Sequence, residues 1–204
     1  MRYTGHLDLH HTWERTLRRA RLPLAYSQGF NPHPRINLAS ALPLGFTSEG
    51  EIIDIWLEQP VSEAEIKAAL DQAAPPGLQV TAVQEMHARA PTLQVELEAS
   101  EFYVTFLDPI PNLEGRLVEL LAAENLLRQR RGKEYDLRPL VQRLECLPDG
   151  ESDRQRILIC LTAKEGATGR PEEVIAALGA APERTRVHRT RLIFKGQSAW
   201  GHEP

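Results

Sequence analysis

The chain has 204 residues, 42% of them hydrophobic and 25% charged, with a formal net charge of -4; these are proportions of an ordinary globular protein with room for a sizeable core in one or two domains. No apolar run reaches the ~20 residues that a membrane span needs, and no charged lead followed by an apolar segment marks a secretion signal. The two cysteines, Cys146 and Cys160, are too few for a disulfide scaffold or a thiolate-bound metal, so the expected setting is cytoplasmic, with no membrane role.

Met1–Thr4 reads as a short first strand, abrupt enough to be truncated. From Leu7 to Arg21, the residues Leu9, Trp13, Leu17 and Ala20 recur at helical spacing and make one apolar stripe, with His11, Arg15, Arg18 and Arg19 on the other side. Leu22–Tyr26 opens a second strand that runs into the segment Ala25–Leu44. That segment threads Tyr26, Ser27, Gln28, Asn31, His33, Arg35 and Asn37 among Gly29, Pro32, Pro34 and Pro43. Proline fixes its own φ and pushes the preceding residue towards extended backbone, so His33, flanked by two prolines, sits on a stiff extended loop. Such loops are where binding groups concentrate.

Glu51–Leu57 alternates as a strand, and Ser62 with Glu65 three residues on forms a capping-box pattern ahead of an apolar face of Ile66, Ala69, Leu70 and Ala73. Pro75, Pro76 and Gly77 stop that helix, and Leu78–Met86 reads as a closing strand. Residues 87–100 read as a linker or an irregular connection. The same order then recurs: a strand at Glu101–Leu107, a helix capped by Asn112, a second strand within Arg128–Leu147 after an irregular charged start, and a strand at Arg156–Thr162. A helix opens at Pro171 and closes at Gly179, before a last strand at Thr185–Phe194.

Two successive β-α-β-β-α-β orders predict an α+β protein of tandem ferredoxin-like units, with antiparallel sheets and helices on one face. The first unit is expected over residues 1–88, the second over 101–195, and a tail over 196–204. Charge is unevenly spread: residues 1–35 carry six basic side chains against two acidic ones, and so do residues 128–143. Two basic islands on a mildly acidic chain suit a phosphate-bearing partner.

Several chemistries are absent. No GxGxxG or GxxxxGK[ST] loop cradles a phosphate, no CxxxCxxC triplet holds an iron–sulfur cluster, and no Gly-x-Ser-x-Gly elbow occurs. His6, Asp8, His10 and His11 are the densest set of metal-ligating types. No convergent ligand from elsewhere is marked by spacing, so they read as surface groups, with Asp8 favourable near a helix start. No metal and no cofactor are expected. His33 could serve proton transfer, since imidazole titrates near neutrality, but nothing fixes a base–nucleophile geometry, and the expected role is binding. Arg15, Arg18, Arg19 and Arg35 suit phosphate oxygens, and Tyr26 and Phe30 offer faces on which bases stack.

The runs His6-Leu7-Asp8, Glu14 to Ala20 and Leu22 to Pro34, continued by Ala41 to Gly45, Glu49-Gly50-Glu51, Asp136 to Leu140 and Arg170 to Val174, resemble the radical SAM-linked protein family. This is a domain of unknown function found beside, or fused to the end of, B12-binding-type radical SAM proteins. Gly5 stands where that family usually has serine. A remoter similarity, at the level of fold, is to tandem ferredoxin-like CRISPR repeat-RNA endonucleases. The resemblance implies a radical SAM protein as partner and RNA-related work. The expectation is therefore an accessory protein without chemistry of its own, binding RNA or another phosphate-bearing substrate through His6, Asp8, Arg15, Arg18, Arg19, Tyr26, Ser27, Phe30, Asn31, His33 and Arg35. The alternatives are a metal-independent endoribonuclease using His33, with Tyr26 or Arg35 as helper, and a protein–protein scaffold.

Overall fold

The apolar stripe of the first helix does what its spacing predicts. In the computed structural model, which describes residues 2–87, 89–130, 132–149 and 153–196, α1 spans His6–Arg19 and buries Trp13, Thr16 and Leu17. Arg21, at φ +56°, turns the chain out of the helix. Two short strands follow, β1 (Ile36–Leu38) and β2 (Thr47–Ser48), then β3 (Ile53–Ile55) and helix α2 (Glu63–Ala73). The chain divides into two units: the first runs to Gly45 and resumes over Ile52–Leu93, and the second takes Phe46–Glu51 and everything from Gln94 on.

In the first unit β1 and β3 pair antiparallel, Ile36 opposite Ile55 and Leu38 opposite Ile53. Backbone bonds extend this pairing outward: Trp56 N donates to Arg35 O, Ala25 N to Trp56 O, and Glu58 N to Pro23 O. Helix α2 starts where its capping box predicts. The Ser62 hydroxyl accepts from Glu65 N, while the Glu65 carboxylate accepts from Ser62 N at 3.1 Å, satisfying two otherwise orphaned donors. The core of the unit is Trp13 and Leu17 of α1, Ile66 and Leu70 of α2, and Leu24, Leu38 and Val80, each full burial stabilising by about 1.5–3 kcal/mol.

The second unit opens with a four-residue helix α3 (Leu93–Glu96, which begins in the first unit) and the long strand β4 (Leu97–Phe106), followed by helix α4 (Leu113–Ala122). A hairpin of β5 (Leu127–Arg130) and β6 (Lys133–Asp136) precedes β7 (Val141–Leu147), β8 (Arg156–Lys164), β9 (Ala167–Thr168), α5 (Pro171–Ala177) and β10 (Thr185–Phe194). The main sheet is ordered β2-β10-β4-β8-β7, with β9 folded onto β8. Its β10–β4, β4–β8 and β8–β7 ladders are antiparallel, and β2 adds to β10 in parallel. Pairs such as Phe102 with Ile159 and Val104 with Ile157 fill the core, and Phe106, Ile157, Ile159, Leu161, Val174 and Ile175 are almost wholly buried. Arg189 is buried in this unit too, held by bidentate bonds from Nε and Nη2 to the two Glu51 oxygens, both 2.7 Å. Beside it, a Cβ at Gly50 would stand 2.5 Å from the Thr190 carbonyl oxygen, so only glycine lets the β2 segment lie this close to β10.

The protein is thus α+β, with antiparallel and mixed sheets and, among the described residues, five α-helices. Several expected elements take another form. Residues 2–4 form no strand, and Met1 lies outside the described residues. Leu22–Tyr26 contributes only single bridges, Leu24 to Leu57 and Tyr26 to Pro34, because Pro23 has no N–H to give a ladder. Residues 78–86 form no strand. Their apolar members Leu78, Val80 and Val83 pack on the core, while the Glu85 amide donates to the Glu63 carboxylate rather than to a neighbouring strand. Part of the expected linker, from Leu97, belongs to β4. Of the expected tail, all but Gly196 lies outside the described residues.

Candidate functional site

The outward side of α1 and the loop that follows it carry the densest convergence of functional groups. Glu14 lies on α1 one turn beyond both His10 and His11. Its carboxylate accepts a hydrogen bond from His11 Nδ1 at 3.2 Å. Its other oxygen faces His10 Nδ1 at 4.0 Å and His33 Nδ1 at 3.7 Å. Three imidazoles from two elements therefore surround one carboxylate whose side chain is 12% exposed, while those of His11 and His33 are 61% and 65% exposed. The His10 and His11 rings meet edge to face, 6.2 Å between centroids.

The loop reaches α1 because it is a narrow hairpin. Ser27 N donates to His33 O, and His33 N donates back to Ser27 Oγ at 3.0 Å, one step beyond the Tyr26–Pro34 bridge. Pro34 is buried, so its ring anchors the hairpin base while His33 beside it stays outside. At the tip Phe30 is completely exposed, and Tyr26 and Asn31 are exposed as well. Arg35 lies over the Trp56 ring, 4.9 Å from its centroid, a cation–π contact that holds the guanidinium at the surface.

The expected residues separate into groups. His33 comes to α1. Ser27 serves the hairpin backbone rather than a ligand. Arg19 donates to the Ala73 carbonyl at the end of α2, 3.1 Å, where a cation offsets the negative helix terminus. Arg15 and Arg18 are exposed and make no ion pair or side-chain hydrogen bond among the described residues. His6 and Asp8 are exposed in the first turn of α1, and neither joins the imidazole cluster. Glu14 is the member that reading the sequence for sites passed over. Its signal was present as the i,i+4 spacing from His10 and the i,i+3 spacing from His11, but the approach of His33 depends on the fold.

The second basic island is largely committed to structure. Arg138 donates twice to the Leu121 carbonyl near the end of α4 and once to Val141 O. Arg143 is bidentate to Glu145 at 2.6 and 2.7 Å, and Arg128 lies 3.8 Å from Glu173. Arg131 lies outside the described residues. Two hollows, of about 370 and 460 Å³, are lined wholly by the second unit. The first includes Cys146, but desolvation, with Glu114 and Asp149 nearby, pushes its thiol above the ordinary value. Burial and then Glu101 do the same to Cys160, so neither sulfur has the lowered pKa of a nucleophilic thiolate.

Among the described residues no helix is long and apolar enough to cross a membrane. No curated protein matches the chain. Residues 1–171 match the family model described as an uncharacterized protein conserved in bacteria, DUF2344, and the chain belongs to that family.

Proposed function

We propose that this protein is a cytoplasmic RNA-binding accessory to a radical SAM partner, without chemistry of its own. It grips single-stranded RNA between the outer side of α1 and the tip of the Tyr26–Arg35 hairpin. The observation that carries this reading is the pairing of two uncommitted guanidinium groups, Arg15 and Arg18, with a wholly exposed aromatic ring at Phe30. Cations neutralise phosphates and exposed rings stack bases, the two components of single-strand binding. A fully solvated phenylalanine at a loop tip contributes nothing to a core, so its place is better explained by a ligand. The radical SAM partner rests on the resemblance of the chain's motifs. Tandem ferredoxin-like architecture is part of the same reading. It is supported in the second unit by the order β4-α4-β7-β8-α5-β10 and in the first by the helix–strand–strand–helix order of α1, β1, β3 and α2.

The test is binding of fluorescently labelled single-stranded RNA over a range of salt. Affinity is expected to fall steeply with salt, and Arg15→Ala with Arg18→Ala to flatten the log–log slope by about 0.7 for each phosphate no longer neutralised. Phe30→Ala should weaken binding by about 1–3 kcal/mol. Unchanged affinity in both variants would sink the proposal and leave a protein–protein scaffold.

One observation favours a second reading, endoribonuclease action. His33 is exposed on the hairpin with Nδ1 3.7 Å from the Glu14 carboxylate, so its imidazole is open to a bound 2′-hydroxyl, the access that a general base requires. RNA cut by wild-type protein and left intact by His33→Ala would select it, and RNA left uncut by wild-type protein would dismiss it.

A further inference from the structure

We infer that His10, His11 and Glu14 of α1, joined by His33 of the hairpin, form a binding site for one divalent cation of the zinc class. Ligating atoms of His10, His11 and Glu14 all lie within 4.8 Å of one another. Hydrogen bonding accounts for only part of this arrangement. His11 is bonded to Glu14 at 3.2 Å, but His10 and His33 each direct Nδ1 at the same oxygen, Oε1, from 4.0 and 3.7 Å, beyond the reach of a hydrogen bond.

Metal coordination sets a different distance. Metal–nitrogen and metal–oxygen bonds of about 2.1 Å at tetrahedral angles put neighbouring ligand atoms about 3.4 Å apart. His11 Nδ1 lies 3.2 Å from Oε2, and His10 and His33 Nδ1 lie 4.0 and 3.7 Å from Oε1, distances that bracket that value. Side-chain rotation within the 4.8 Å group of His10, His11 and Glu14 would set three ligands around an ion, and His33, outside that group, would swing in as the fourth. The donor set selects the class of ion. Imidazole nitrogens with one carboxylate and no thiolate suit Zn²⁺ and its first-row neighbours. Ca²⁺ and Mg²⁺ require more oxygen ligands than this cluster offers.

The backbone favours chelation by α1. Positions four and three residues before Glu14 present His10 and His11 to the same turn of the helix, and that helix is anchored by its buried Trp13 and Leu17. His33 arrives from a separate segment, so an ion held by all four residues would fasten the hairpin to α1 and fix where Phe30 is displayed. The ion does not depend on RNA, and the inference stands or falls apart from the proposed function.

The experiment uses full-length protein without a histidine tag, stripped with a chelator, titrated with ZnCl₂ by calorimetry and with CoCl₂ by visible absorption. One ion per chain is expected, with the intense visible bands of low-coordinate Co²⁺. Glu14→Gln and His11→Ala should each weaken Zn²⁺ binding at least about tenfold, since even outer-shell changes lower affinity by that factor. His33→Ala should weaken it and lessen the rise in Tm that Zn²⁺ produces. His6→Ala and His188→Ala should leave the affinity unchanged. Far-UV circular dichroism checks folding, and the exposed His11→Ala carries the test if Glu14→Gln does not fold. Absence of one-to-one binding, or binding that survives both Glu14→Gln and His11→Ala, overturns the site. Binding that His33→Ala leaves untouched overturns the fastening of the hairpin.

Discussion

The two units are stabilised in different ways. The second rests on long ladders: β4 and β10 have ten residues each and β8 nine, and its central side chains are almost wholly buried. Among the described residues the one ladder of the first unit joins three residues to three, and its two helices supply Trp13, Leu17, Ile66 and Leu70 of its core. A sheet core uses its residues up in packing, whereas a helix needs one stripe for the core and leaves the rest of its surface uncommitted. That is why the imidazole–carboxylate cluster, the uncommitted arginines and the exposed Phe30 belong to the first unit. The contrast is between a unit built for stability and one that displays groups.

Substitutions should break or sharpen this contrast in a definite order. Phe106→Ala, at the end of β4 and 2% exposed, is expected to cost about 3–5 kcal/mol in chemical denaturation. A loss near 1 kcal/mol would mean that the long ladders do not carry the stability. Glu51→Ala comes next. It removes the bidentate carboxylate from the Arg189 guanidinium, 2% exposed, and about 3 kcal/mol should be lost because taking one partner from a buried ion pair is strongly destabilising. A Glu51→Ala variant as stable as the wild type would show that the pair does not hold the β2 segment.

In the first unit Ser62→Ala removes the hydroxyl of the α2 capping box and should cost about 1 kcal/mol. Its pH signature is specific. Hydrogen bonds from the Ser62 side chain and then its backbone hold the Glu65 carboxyl below its ordinary value. A depressed carboxyl contributes stability that is present above its unfolded pKa and is lost as the pH falls through the folded one. Denaturation midpoints of the wild type should therefore decline through the acid range more than those of Ser62→Ala, and parallel curves would count against this role for the cap. Phe30→Ala should have the smallest effect on stability, within about 0.5 kcal/mol, since the ring touches no core. A larger loss would show that the hairpin tip belongs to the fold rather than to a ligand.

Elements governed by adjacent residues were legible. Helix α1 followed its stripe, α2 began at the Ser62–Glu65 box, and α5 began at Pro171 and ended before Gly179, which lies at φ +77°. Strand β10 spans the expected Thr185–Phe194. Residues 78–86 misled because apolar alternation reports burial and does not reveal whether a strand is there to pair with. The parallel pairing of Thr47 with His188 and Ser48 with Arg189 left no local mark, since its partners are far apart in the chain. Within the site the arginines and the exposed aromatics were legible as types, but the diversion of Arg19 to the end of α2 and of Ser27 to the hairpin was not, because hydrogen-bond partners are set by approach in space.

The feature that changes most between sequence and structure is the histidine set. By itself the sequence determined an α+β protein with an amphipathic, arginine-bearing first helix and a proline-stiffened segment after it, since periodicity, capping and proline act over a few residues. Only the tertiary structure decided that His6 and Asp8 stand apart while His10, His11 and His33 meet at Glu14. The Tyr26–Pro34 bridge and the buried Pro34 ring bring residue 33 back to residue 14, a closure that no spacing along the chain encodes.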